Sequence, residues 1–488
     1  MEKVKKNYKF ILFSIVLIIF NTFLLLNKLN ICLLIITIFI DIIFILYLLF
    51  LIKRKYSIEK IYLFIMIPLG IFYMFAFPIN RQPDEFQHFL RAAEISEGYI
   101  ISKHYKNNSI GRKLDVNYQY IDSLKNYQIS FHEMNIKKSN DRKIYGFSNT
   151  ALYSFACYIP QSLGVFIGRV LNLPIYVYDY LGRILNFICF LIITYISMKI
   201  MPIKKISMFI ILLLPITIEL ATSLSPDALT IAMSLFLISY VLKLRNEKDK
   251  LINKKDIIIL FFTIIYIALS KIVYLPLCLL ILLIPKEKFK TSKFNYILLF
   301  MMILISISLN LLWLSNVSGF LPARSDVNSK KQFLYIISDI YNYVAIVIRT
   351  YVINGLGLLL EEFGRILGLF TVYLSDIYIY LNMGMFLLIS IIEYNKNKID
   401  FKYMEKLFMV LIYIVIVILI STSLYLQWTP VGKNLIIGIQ GRYFLPLVML
   451  FPILFNGKKN IIIPYKYVLV FMIMESIYAL NIIFYTFM

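Results

Sequence analysis

Apolar residues run in blocks of about 14 to 22 along most of the chain, separated by short polar segments rich in Lys and Arg. Blocks of that length without strict alternation predict membrane-spanning helices and exclude a transmembrane barrel, whose strands alternate residue by residue. Lys and Arg gather around residues 2–6, 53–60, 204–205, 243–255, 286–293, 396–406 and 458–466. With all seven clusters placed on the cytoplasmic side, about thirteen spans follow. They fall at 10–26, 31–52, 61–78, 178–200, 206–221, 227–242, 257–270, 272–285, 295–314, 373–392, 407–424, 443–456 and 467–486, with the C-terminus outside. No small-residue cleavage site follows the first apolar run near Leu26, so a retained first helix is expected rather than a signal peptide.

Three stretches depart from this rhythm. Residues 151–171 are apolar but contain Pro160, Gln161 and Arg169, and counting them as a span would carry Lys204 and Lys205 outside; a helix lying on the outer membrane surface is expected instead. Basic clusters flank both ends of 257–285, which favours a hairpin turning near Ser270 and Lys271. Each arm of about 14 residues would rise only about 21 Å, short of a core of about 30 Å, so Lys271 would sit at the floor of an outward cavity. Residues 316–372 form an ambiguous outer segment, where local salt bridging explains Glu361, Glu362 and Arg365. The fold class expected is all-α, a polytopic transmembrane bundle. Residues 1–58 supply two accessory N-terminal helices, and 59–488 form the main domain with an outer loop at 79–177.

Composition agrees with this class. Of 488 residues 60% are hydrophobic and 16% charged, against about a quarter charged in soluble domains. The 50 basic residues exceed the 27 acidic ones, but the excess sits in short loops, where it reports topology rather than a nucleic-acid partner. Cys32, Cys157, Cys189 and Cys278 lie far apart without CxxC spacing, so neither a disulfide framework nor a zinc site follows. The 37 Tyr and 39 Phe serve span linings and interface belts. No internal repeat is present, which argues against a duplicated transporter architecture.

The candidate chemistry lies at the outer turns. The long loop from Asn80 to Thr150 carries all three histidines, His88, His104 and His132. At its start, Arg81-Gln82-Pro83-Asp84-Glu85-Phe86-Gln87-His88 leads into Arg91 and Glu94. Proline and acids suit a first helical turn. Equally, Asp84, His88 and Arg91 at i, i+4 and i+7 would project an acid, an imidazole and a guanidinium from one face, a set that can take a hydroxyl proton and hold a phosphate. No HExxH metalloprotease motif occurs. Ser225-Pro226-Asp227 reads as a helix cap, yet it faces the same side as Asp84. So do Lys271 with Tyr274, and Gly438-Ile439-Gln440-Gly441-Arg442-Tyr443. For Lys271 and Arg442, snorkelling to the interface is the competing explanation. Arg183 and Asn186 in the outer half of a span mark either a site or a helix–helix bond.

The segments PDEFQHFLRAAEISEG (83–98), SFACYIPQSLGVFIGRVLNLP (154–174), LGRILN (181–186), SPDALT (225–230), KIVYLP (271–276) and GIQGRYFLP (438–446) together resemble a family of predicted bacterial polytopic membrane proteins, a domain of unknown function related to the GT-C glycosyltransferases. The pattern departs at Ser148-Asn149-Thr150-Ala151-Leu152-Tyr153, where the family is richer in Pro and Tyr. The resemblance implies a GT-C-like fold in the bacterial cytoplasmic membrane with its site outside. It also implies a sugar donor on polyprenyl phosphate and a cell-envelope glycan, lipid or protein as acceptor. On that reading Asp84 is the catalytic base, with Glu85 next. His88, Arg91, Lys271 and Arg442 hold phosphate, Asp227 binds a sugar hydroxyl, and Arg183, Tyr274, Gln440 and Tyr443 line the substrate site. No cofactor is required; a divalent cation bridging Asp84, Glu85 and Asp227 is compatible with the inventory. The alternative is a flippase or transporter of lipid-linked sugars or polysaccharide. It needs ionisable groups within spans, of which there are few: Asp41, Glu219 and Glu475.

Overall fold

The computed structural model describes residues 2–105, 110–124, 134–247, 250–289, 294–317, 326–394, 399–457 and 465–487; His132 lies outside them. The helices used below are α1 (Glu2–Leu25), α2 (Ile31–Lys53), α3 (Ile58–Ala76), α4 (Glu85–Ser96), α5 (Ile159–Val170), α6 (Ile175–Ile200), α7 (Lys205–Leu212), α8 (Pro215–Ala221), α9 (Asp227–Asn246), α10 (Lys254–Ser270), α11 (Phe294–Val317), α12 (Ile340–Glu362), α13 (Asp376–Ile392), α14 (Tyr403–Gln427) and α15 (Tyr465–Phe487). Among the described residues nine are long and apolar enough to cross a membrane: α1, α2, α3, α6, α9, α11, α12, α14 and α15. The molecule is an all-α membrane bundle. Because lipid gives no hydrophobic drive between helices, polar contacts help to join them. Asn21 of α1 donates to the Met474 carbonyl of α15 (3.1 Å) and accepts from Tyr378 of α13 (2.9 Å).

The differences from the expected thirteen spans have local causes. The stretch 206–221 is two short buried helices, α7 and α8. Pro215 has no N–H to continue the first helix and instead opens the second, while the Thr217 hydroxyl serves the Ile211 carbonyl at 2.9 Å. The stretch 443–456 holds only turns and a four-residue helix, Leu450–Ile453, interrupted by Pro446 and Pro452. A span was missed where α12 crosses residues 340–362, within the segment read as an outer connector; Asn342, Arg349, Asn354 and two glycines dilute its apolar signal. The hairpin over 257–285 does form. Ile252 N donates to the Lys288 carbonyl at 2.9 Å, so its arms begin and end side by side. Its second arm is a 3₁₀ run, Ile272–Leu283. At about 2.0 Å per residue those 12 residues rise about 24 Å, matching the 17-residue α10 at about 1.5 Å per residue.

The outer loop folds on itself rather than carrying helices alone. Strands β1 (Lys103–His104), β2 (Ile110–Asp115) and β3 (Arg142–Gly146) pair antiparallel in that order, with Arg112 opposite Tyr145. Phe89, Ile110, Leu114, Tyr118, Phe147 and Tyr158 form its separate core. Helix α5 lies within the expected 151–171, presents Ile159, Leu163, Phe166 and Val170 as an exposed apolar stripe, and packs along α6 with Gly164 against the Leu181 backbone and Gly168 against Tyr178.

Candidate functional site

The chain leaves α3 and turns through two residues in the left-handed region, Asn80 (φ 61°) and Asp84 (φ 54°). Asp84 stands at the N-cap of α4, yet its side chain makes no capping hydrogen bond. Its carboxylate is therefore not committed to the helix, and its side chain is 52% exposed. A non-glycine residue in this conformation is strained and is held by its surroundings. Here Arg81 O accepts from Leu369 N (3.0 Å), and Gln82 N donates to Glu85 Oε2 (3.4 Å).

Three distant segments bring charge to this point. Asp227, the first residue of α9, has its N–H held by the Ser225 hydroxyl at 3.2 Å. Its Oδ1 accepts from Lys271 Nζ at 2.5 Å, and its Oδ2 lies 3.7 Å from Arg442 Nε. Arg442 Nη2 is 4.0 Å from Asp84 Oδ2. Lys271 sits extended at the hairpin turn (φ −148°), with its ammonium 4.8 Å from the centre of the Tyr443 ring and 5.8 Å from that of Tyr153. Tyr274 donates to the Tyr443 carbonyl at 2.8 Å, tying the hairpin to the 441–443 turn. That turn needs glycine, since a Cβ on Gly441 would lie 2.3 Å from Glu362 N. Arg442 is nearly buried; its Nε is ion-paired with Asp227, and its Nη1 makes no hydrogen bond among the described residues, leaving that nitrogen beside two carboxylates without a partner of its own.

His88 joins the cluster through its field. Burial pushes its pKa down to about 4; Asp84 and Asp227 oppose that fall, and Arg442 and Lys271 add to it. It is a neutral imidazole at pH 7, with Nδ1 2.7 Å from the Tyr158 hydroxyl.

Other expected site residues are not brought here. Asp84, His88 and Arg91 do not share a helix face: Asp84 is not helical, and Arg91 is fully buried in the loop, paired with Glu94 and bonded to the carbonyls of Ile100 (2.8 Å) and Tyr153 (3.2 Å). Its guanidinium is engaged and does not reach the cluster. Glu85 lies beneath, accepting from Arg183 at 2.7 Å. Arg183 also serves the Met74, Phe77 and Pro78 carbonyls and stands 2.7 Å from Asp179. Both residues brace the α3–α4 turn. The carboxylate bridge of Asp84, Glu85 and Asp227 therefore does not assemble, and the described residues contain no group of three metal-binding side chains. Asn186 holds the Ser223 and Ser225 carbonyls (2.8 and 3.3 Å), positioning Asp227. Gln440 lines a small niche with Glu219, Glu361 and Arg442. Local salt bridging among Glu361, Glu362 and Arg365 does not form: Arg365 pairs with Asp376 at 2.7 Å, and Glu361 accepts from Gly441 N at 3.1 Å. Sequence reasoning missed Tyr153 and Tyr158, whose only signal was their place within the 151–171 segment.

Fold and site define a polytopic helical membrane protein with a charged cluster at the ends of its spans. The chain belongs to the DUF2142 family, described as predicted membrane proteins, whose sequence pattern matches residues 67–451. Every segment of the cluster lies inside that match. No curated protein and no solved structure matches the chain.

Proposed function

We propose that this protein is a membrane glycosyltransferase, moving a sugar from a polyprenyl-phosphate donor to a glycan, lipid or protein acceptor of the cell envelope. In this reading it resides in the bacterial cytoplasmic membrane with the cluster facing outside. The observation that carries the proposal is a half-exposed carboxylate, Asp84, that caps no helix and stands 4.0 Å from Arg442, itself beside the Lys271–Asp227 pair. Asp84 takes the proton of the acceptor hydroxyl as its oxygen attacks the anomeric carbon. The carbon–oxygen bond to the lipid phosphate breaks, and its electron pair leaves on the phosphate, which Arg442 and Lys271 hold. The products are a glycoside and polyprenyl phosphate, with the proton on Asp84. A polar site at the ends of the spans suits a donor that arrives from the bilayer.

The test is transfer in proteoliposomes supplied with polyprenyl-phosphate sugars and membrane glycan acceptors, comparing wild type with Asp84→Asn. Loss of transfer at equal insertion is expected, and full activity in the variant would remove Asp84 from its role. Donor movement across the bilayer without transfer would assign a flippase instead.

A further inference from the structure

An apolar groove lies away from the charged cluster, between α2, α3 and the last helix α15. One part, about 520 Å³, is walled by Leu33, Ile36, Ile477 and Leu480, with Lys28, Asn30 and Tyr485 also lining it. A second part, about 430 Å³, is lined by Ile43, Tyr47, Phe64 and Pro68. Ile40, Phe44 and Phe72 line both, so the two adjoin along α2. From Leu33 to Tyr47 the groove follows α2 for about 21 Å at 1.5 Å per residue, more than half of a hydrocarbon core of about 30 Å.

The polarity of this groove is one-sided. No acid lines it. Lys28 and Asn30 lie in the turn between α1 and α2, at the end of the bundle where α3 leads to Asp84. Among the described residues the Lys28 ammonium has no hydrogen bond or ion pair. Asn30 uses its carbonyl oxygen to cap α2 (Leu33 N, 2.9 Å), leaving its amide hydrogens unspent. Deeper down, Asn481 is satisfied by Thr37 (2.8 Å) and the Ile477 carbonyl (2.8 Å), so the wall below the mouth asks for no polar partner. A charged donor pair above a long apolar channel matches a negative headgroup above an acyl chain. Inorganic phosphate would satisfy only the mouth.

We propose that the groove is a specific site for a bilayer phospholipid with an anionic headgroup, its phosphate on Lys28 and Asn30 and one acyl chain lying along α2. The site wedges the accessory helices against the body of the bundle. Most of it is built from residues outside the family match, since α1, α2 and α15 fall beyond 67–451. It does not depend on the glycosyl-transfer reading.

The test places the full chain in nanodiscs containing chain-spin-labelled phosphatidylglycerol or phosphatidylcholine and measures the motionally restricted lipid. Wild type is expected to hold phosphatidylglycerol about fivefold more strongly than phosphatidylcholine. Lys28→Gln, at an exposed turn, should abolish that preference. Ile40→Trp should fill the waist and remove the site-specific component for both lipids. If that variant fails to give a monodisperse protein, Ile36→Trp tests the same wall. Equal retention of the two lipids by wild type, a preference that persists in Lys28→Gln, or a restricted component that survives the tryptophan variants would each overturn the proposal.

Discussion

Asp84 and Glu85 are neighbours with opposite fates, and substitution should separate them. Asparagine tolerates the left-handed conformation nearly as well as aspartate, so Asp84→Asn should leave thermal unfolding in detergent unchanged while transfer falls at least about 100-fold. Glu85→Gln should do the reverse. It leaves Arg183 with one fewer counter-charge in a dry setting, and breaking a buried pair costs about 3–5 kcal/mol. A lowered melting temperature and poor yield are expected, and a stable but inactive Glu85→Gln would contradict the bracing role. His88 supplies a pH signature. Its folded pKa of about 4 lies below the ordinary 6.5, chiefly through burial, so the unfolded chain binds the proton more readily between those values. Stability is thus fully present above about pH 6.5 and declines as pH falls toward 4, by about 3 kcal/mol at most for this group. In His88→Gln the melting temperature measured across that window should lose this part of its slope.

Elements decide which of these side chains meet. The hairpin apex carries Lys271 and the start of α9 carries Asp227; the separation of 44 positions in the chain closes to a 2.5 Å contact because α9 and α10 pack side by side, with the Thr230 and Ser270 hydroxyls bonded beside it. The hairpin was legible from its flanking basic clusters. Its 3₁₀ arm was not, since hydropathy does not distinguish a rise of 2.0 Å from one of 1.5 Å. The 441–443 turn is equally exacting: Gly441→Ala would drive a methyl into the backbone of Glu361 and Glu362. Overpacking of this kind costs about 1–3 kcal/mol. We expect a lower melting temperature together with weaker donor binding, because Arg442 shifts with the turn, and both are measurable on purified protein. The run of Asp84, His88 and Arg91 illustrates the opposite limit. Helical spacing placed them on one face, but α4 begins only at Glu85, which leaves Asp84 outside it, and Glu94 on the same helix together with the Ile100 and Tyr153 carbonyls claims Arg91.

At the scale of the whole molecule, the family match begins within α3, and the cluster lies wholly inside it. Removing residues 1–56 should therefore leave glycosyl transfer measurable while lowering the melting temperature. The deletion takes away the Asn21 bonds to Tyr378 and Met474 and the Thr37 bond to Asn481, each worth about 0.6 kcal/mol or somewhat more in a membrane. Loss of transfer at preserved insertion would show that the accessory pair shapes the site.

The amino-acid order by itself determined the membrane class, eight of the nine long helices, a helix within 151–171 and the hairpin. These follow from local composition, because a run of apolar residues must satisfy its own backbone within lipid. It also determined which turns carry charge. Tertiary structure alone decided that Asp84, Asp227, Lys271 and Arg442 form one cluster, that Arg91, Glu85 and Arg183 serve as braces, and that Tyr153 and Tyr158 line the site. Those assignments depend on contacts between positions up to 358 residues apart, as between Asp84 and Arg442. Which buried charge finds which partner is set by packing, because in a low dielectric each ion must pair or lose its charge.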